Sequence, residues 1–237
     1  MKLLFACPTY GHLDPQAVRS QRAAIMHASA HGGVTWIGDE SPDRMIYSVS
    51  RNRIVQRALD TDAEGIFWCD SDVLLHPTDA RGYPAGPADA ITRLVLEQKD
   101  FITGVYFQRE LPHFPLIAHY DAKGGKDHAG TFHWFTEWPE NVVAPIDGCG
   151  FGCVLTSTKL LRAIPEPWFH YDKFSEDFTF CLNAAQAGFQ LYVHTGVLCG
   201  HLPDPKPVTV TTFRAAWAAN QTPQGESDGA VRLHTEA

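Results

Sequence analysis

The run "GIFWC", Gly65 to Cys69, contains no charged side chain and no alternation of polar with apolar residues. A strand of this kind can expose neither face to water, so it belongs in a sheet covered by helices on both sides. Such sheets are mostly parallel, and parallel neighbours are joined by crossover helices. The flanking chain has that rhythm. The apolar run "KLLFAC" is followed by a helical pattern from Pro15 to Ala30 and then by "VTWIG". After "GIFWC", a Pro- and Gly-rich loop leads to the helix "AITRLVLEQ" and the strand "DFITGVYF". Between "VTWIG" and "GIFWC", Met45, Ile46 and Val49 are out of helical phase with Val55, Ala58 and Leu59. This predicts a break near Ser50 and a helix start at Arg51, Asn52 and Arg53.

The expected fold is one α/β domain over residues 1–202, Rossmann-like, with a mixed, mostly parallel central sheet flanked by helices. Beyond Phe107, "PLIAHYD" and "TFHWFTEW" are aromatic strand patterns separated by "AKGGKDHAG", which predicts a small β-rich extension of the sheet. Helices are expected at "TKLLRAI" and from "SEDFTFCLNAAQAG", with a strand at "FQLYVHT". Residues 203–237 read as a mostly loose tail carrying one short helix at "FRAAWAA", and no internal repeat is present. With 237 residues and 44% hydrophobic content, the chain can bury one sizeable core.

Charge and cysteine usage narrow the function classes. Lys plus Arg number 19 against 27 Asp plus Glu, a formal net charge of -8, which disfavours a general phosphate-backbone binder. A local basic groove, to which Arg109, Lys123, Lys126 and His128 would contribute, stays open. The 6 cysteines are scattered through apolar runs without a CxxC pair, as expected of reduced core thiols in a cytoplasmic protein. The apolar run at the N-terminus is too short for a signal-peptide core, and no stretch reaches the roughly 18 apolar residues of a membrane helix. Stable membrane insertion is not expected.

Four constellations carry chemistry. Asp70-Ser71-Asp72 places two carboxylates at the end of a buried strand, where their repulsion demands a cation or strong donors. Mn²⁺ or Mg²⁺ would supply that compensation, although a bare D-x-D is as readily a polar turn. In "SEDFTFC", Ser175 reads as a helix cap with Glu176 and Asp177 in the first turn, beside the aromatics of "PWFHYDKF". Two acids next to a stacking platform suit general base catalysis, while a capped helix is the plainer reading. His201 in "VLCGHL" is a candidate third metal ligand, though a lone histidine is more often structural. The alternating glycines of "DGCGFGCVL" either make a bulged strand or let the backbone approach a ligand. No phosphate-binding loop or dinucleotide fingerprint is present.

In this order the motifs resemble those of a GT-A fold glycosyltransferase, family 2-like, of bacterial or phage type. The resemblance runs from "ACPTYG" through "GDES", "SRNRIVQRAL", "CDSD", "GCGFGCVL" and "SEDFTFC" to "CGHL". It implies a nucleotide-binding half at residues 1–107 and an acceptor-binding half at 108–202. It also implies Asp70 and Asp72 as the D-x-D motif, with Asp72 the more direct metal ligand, and His201 as the metal-binding histidine. Pro8, Thr9, Tyr10, Asp39, Arg51, Asp70 and Ser71 fall where such enzymes hold the donor. Glu176 and Asp177 match the E-D pair whose aspartate, in inverting members, takes the acceptor proton. The expected reaction is metal-dependent transfer of a sugar from a UDP- or GDP-sugar to an acceptor hydroxyl, with a modified DNA base or a glycan as acceptor classes. The alternatives are a nucleotidyltransferase and a catalytically silent nucleotide-sugar binding protein. A phage-encoded chain of this kind would work in the host cytoplasm.

Overall fold

The computed structural model describes residues 1–9, 11, 13–79, 84–126, 130–202, 209–220 and 231–232. The first half contains β1 (Lys2–Ala6), α1 (Pro15–His31), β2 (Thr35–Glu40), α2 (Tyr47–Leu59), β3 (Gly65–Cys69), β4 (Val73–Leu74), α3 (Ala90–Leu96) and β5 (Phe101–Val105). There follow β6 (Ile117–Asp121), β7 (Thr131–Glu137), β8 (Val143–Ile146), β9 (Gly148–Cys149), β10 (Cys153–Ser157) and α4 (Thr158–Ala163). The chain continues with α5 (Glu176–Gln186), β11 (Leu191–Leu198), β12 (Gly200–His201), α6 (Val210–Asn220) and β13 (Val231–Arg232).

The central sheet has 7 strands in the order β2-β1-β3-β10-β5-β11-β8. Parallel pairs join β1 to β2 and β3, and β11 to β5. The reversed strands are β10, inserted antiparallel between β3 and β5, and β8, antiparallel to β11 at the edge. Pro145 is tolerated in β8 because an edge strand can leave one side of its ladder unpaired. All of β3 is buried. Ile66 and Trp68 face the core layer under α2, α4 and α5, and the alternate residues Phe67 and Cys69 face the layer under α1 and α3. All six cysteines are buried and none forms a disulfide.

Helix starts follow local chemistry. The Asp14 carboxylate accepts the Gln16 N–H at 2.6 Å, and Pro15 opens α1 where its missing N–H costs nothing. The break expected near Ser50 does not occur, for α2 is continuous from Tyr47 to Leu59. Met45 and Ile46 precede the helix, Ile46 and Val49 are exposed, and the buried stripe Ser50, Arg51, Ile54, Val55, Ala58 keeps helical spacing. The phase conflict came from counting surface hydrophobes as core.

The β-rich extension forms a separate sheet of order β13-β7-β6-β9 rather than a continuation of the central one. Because β9 belongs to this sheet and β10 to the central one, Gly150 to Gly152 join the two layers. A further two-stranded ladder joins β4 to β12. In α6, Phe213 is buried and stacks on Phe107 and Trp138 at ring separations of 5.4 and 5.6 Å, so this part of the expected loose tail is docked. Among the described residues, no helix is long and apolar enough to cross a membrane.

Candidate active site

The carboxyl end of β3 delivers Asp70 to the sheet edge, where ligands of open α/β sheets bind. The Val73 N–H donates to the Asp70 carbonyl at 3.2 Å, turning the chain into β4. The pairing of β4 with β12 then sets His201 opposite Val73, and Leu202 N–H donates to the Asp72 carbonyl at 2.9 Å. That ladder places His201 Nε2 3.4 Å from Asp72 Oδ1. His201 Nδ1 lies 2.6 Å from the Phe107 carbonyl oxygen, which can only accept, so Nδ1 carries the proton and Nε2 presents its lone pair. Burial, with Arg109 adding to it, lowers the His201 pKa and favours this neutral form. Arg109 completes the group: its Nε donates to His201 Nε2 at 3.1 Å and its Nη2 pairs with Asp72 Oδ2.

Asp70 turns to a different cation. Arg51 Nη2 lies 3.3 Å from Asp70 Oδ1, while Nη1 bonds Glu176 Oε1 at 2.9 Å and also Asp177 Oδ1. Arg51 is 3% exposed, with its guanidinium carbon 5.4 to 5.6 Å from the ring centres of Tyr47, Phe151 and Phe169. Burial opposes its charge, but the carboxylates of Asp177, Asp70 and Glu176 outweigh burial and hold it protonated. Asp177, 19% exposed, is pushed up to about 7. Burial is the main cause, Glu176 and Asp70 add to it, and Arg51 and a Phe151 backbone hydrogen bond oppose it. Glu176 and Asp177 do open α5, but Ser175 makes no capping hydrogen bond through its side chain.

The two groups open onto one cleft of about 540 Å³. Its polar side carries Arg51, Asp70, Asp72, Arg109, Glu176, Asp177 and His201, and its apolar wall carries Leu116, Phe132, Trp134, Phe174 and Phe178. The wall is an edge-to-face array: Phe132 is 4.5 Å from Phe178 and 5.0 Å from Phe174, and Trp134 is 5.4 Å from Phe178. It differs from the platform expected at "PWFHYDKF". Trp168 and Phe169 are core residues, Phe169 stacking on Phe180, and Tyr171 is 59% exposed. Of that cluster, Phe174 reaches the cleft wall. Gly150 and Gly152 serve close packing, since a Cβ on either would meet the Tyr106 ring, whose hydroxyl accepts the Gly152 N–H at 2.9 Å.

The structure therefore gathers Arg51, Asp70, Asp72, Glu176, Asp177 and His201 and leaves other candidates outside the cleft lining. Pro8, Thr9, Asp39 and Ser71 do not line it. Thr9 bridges to Asp43, its buried hydroxyl without a partner, and the exposed Asp39 accepts from Ser41 at 3.0 Å. Tyr10 and His128 lie outside the described residues, and Lys123 and Lys126 stand apart from the cleft. Within the trio Asp70, Asp72, His201, the structure sets His201 Nε2 3.4 Å from Asp72 Oδ1 and pairs Asp70 with Arg51. Among the described residues no three His, Cys, Asp or Glu side chains form a metal-holding group. The repulsion within Asp70-Ser71-Asp72 is relieved by two arginines. Sequence reasoning missed Tyr47, Tyr106, Gln108 and the aromatic wall, and placed Arg109 only in a general basic groove. The alternation of Phe132 and Trp134 along β7 puts both on one face and was a usable signal, whereas Arg109 lies in an irregular loop that offers none.

No protein-family model and no curated protein matches the chain. Among solved structures, the chain is similar to A197 from STIV, with a TM-score of 0.55 and 17% identity over 86% of this chain and 87% of that one. It also aligns with UDP-glucose pyrophosphorylase complexed with UDP-glucose, with a TM-score of 0.44 and 10% identity over 94% and 99% of the two chains. A third alignment, with GalNAc-T7 with UDP, GalNAc and Mn²⁺, has a TM-score of 0.45 and 8% identity over 92% of this chain and 47% of the other. The likeness to A197 is one of fold: a mixed α/β chain with its central sheet flanked by helices.

Proposed function

We propose that this cleft transfers a sugar from a nucleotide-sugar, a UDP- or GDP-sugar, to the hydroxyl of an acceptor. The observation that supports it most is that the Asp177 carboxylate, whose pKa burial raises, and the Asp72–His201 pair open onto the same cleft. In this reading Asp177 is the general base. The acceptor oxygen bonds the anomeric carbon as the bond to the diphosphate breaks, and the acceptor proton passes to an Asp177 carboxylate oxygen, a single displacement with inversion. Arg51 holds Asp177, Glu176 and Asp70 in place and keeps their charge balanced. The wall of Phe132, Trp134, Phe174 and Phe178 would cover one face of a ring-shaped acceptor, a glycan or a modified base. Residues 1–107 would then serve the donor and 108–202 most of the acceptor.

Asp72 and His201 supply two donors of the kind a divalent cation takes, and among the described residues no third joins them. A carboxylate faces an imidazole lone pair, and the other ring nitrogen is tied to a backbone carbonyl, the usual way to orient a ligating histidine. Asp72 and His201 would hold Mn²⁺ or Mg²⁺. Bound there, the ion supplies charge stabilisation to the departing nucleoside diphosphate. The test is a panel of nucleotide-sugars with Mn²⁺, read by release of nucleoside diphosphate. Wild type should release it and Asp72→Ala should not, while folding as wild type. Pyrophosphate release without nucleoside diphosphate would favour a nucleotidyltransferase, and binding without turnover would favour a silent nucleotide-sugar binder.

A further inference from the structure

Arg109 stands where a cation between Asp72 and His201 would stand. Its Nη2 takes Asp72 Oδ2, and its Nε takes the His201 Nε2 lone pair at 3.1 Å. A histidine with Nδ1 committed to the Phe107 carbonyl has that one lone pair to give, so guanidinium and metal exclude each other at Nε2. We propose that Arg109 is an internal cation that occupies this position in the free protein and is displaced from it by the divalent metal. The inference rests on the metal reading above.

The two arginines of the cleft differ in the way this exchange requires. Arg51 is 3% exposed and held by three carboxylates, so removing it from its place would strand buried charge. Arg109 is 50% exposed and its acidic partner Asp72 is 21% exposed, so its ion pair is partly hydrated and breaks at modest cost. The backbone just before it is anchored. Gln108 N–H donates to the Phe114 carbonyl at 2.8 Å, and Phe107 bridges to Pro115. A displaced Arg109 side chain therefore stays at the cleft rim, where its planar fork suits the diphosphate that accompanies the metal. The exchange keeps Asp72 neutralised at each stage, and the incoming diphosphate compensates the guanidinium that the metal displaces.

The experiment measures Mn²⁺ affinity from the electron paramagnetic resonance signal of the free ion, on the full chain, without nucleotide and then with UDP. Without nucleotide, Arg109→Gln should bind Mn²⁺ about tenfold more tightly than wild type, the scale of one lost competing ion pair near a partly buried site. Arg53→Gln removes the same charge from an exposed position on α2 and should change affinity little. UDP should narrow the gap between wild type and Arg109→Gln to about threefold or less, because the displaced guanidinium then has a phosphate partner. Equal or weaker Mn²⁺ binding by Arg109→Gln, an equal gain in Arg53→Gln, or a gap untouched by UDP would each overturn the exchange. In those cases, loss of binding in Asp72→Asn shows that the metal reading itself stands. Absence of Mn²⁺ binding in both wild type and Arg109→Gln overturns the metal reading and the exchange together.

Discussion

Asp177 is the residue whose chemistry gives the most direct test. As the proposed general base, with its pKa pushed up to about 7, Asp177 should make kcat/KM rise with pH up to that value and level off above it. Asp177→Asn should lower turnover by roughly 10² to 10⁴ and remove this acidic limb, which a pH–rate series on both proteins checks. The same group affects stability with the opposite sign to an ordinary ion-paired aspartate. Its folded pKa lies above the ordinary 3.8, so between pH 3.8 and about 7 the folded state binds more protons than the unfolded state. Its contribution to stability is present below that window and is lost as pH rises through it. Wild-type Tm should therefore fall relative to Asp177→Asn as pH goes from 4 to 7, as scanning calorimetry would show. At this scale the sequence made the acids and His201 visible by type and spacing. It did not reveal their partners: that Asp70 faces Arg51 while Asp72 faces Arg109 follows from contacts between residues far apart in the chain.

Elements explain which of those residues can meet. The short ladder of β4 with β12 decides that His201 abuts Asp72, yet two-residue strands leave no periodicity to read. Longer elements were legible: β3 matches its apolar run residue for residue, and α1 begins at the Asp14-Pro15 signal. The phase break expected in α2 failed because exposed Ile46 and Val49 look like core residues in a sequence. The aromatic platform was misplaced for the converse reason, since Trp168 and Phe169 satisfy the core rather than a ligand. Docking of α6 makes a prediction of its own. Phe213 is buried against Phe107 and Trp138, so Phe213→Ala should destabilise the chain by about 3 to 5 kcal/mol, measured by urea unfolding. A loss near zero would mean that α6 contributes nothing to the core.

Both groups line one cleft, so under the proposed function ligand binding should be felt globally. Under the proposed function, a nucleoside diphosphate with Mn²⁺ at about 100 times its Kd should add about 2.7 kcal/mol to stability. For a chain of 237 residues that corresponds to a rise in Tm of roughly 5 to 10 °C, read in a thermal-shift screen of UDP and GDP with and without the ion. The net charge of -8 argues against wide nucleic-acid binding, yet the cleft itself concentrates Arg51 and Arg109 among the acids. The sequence by itself determined the α/β class, the central place of "GIFWC" and the acids and histidine at strand and helix ends, because apolar patterning and end signals are local. Tertiary structure alone decided that β10 enters the sheet in reverse and that Phe132, Trp134, Phe174 and Phe178 form one wall. It also assigned a separate arginine to each aspartate of Asp70-Ser71-Asp72, since charge pairing depends on distances in space that residue spacing does not encode.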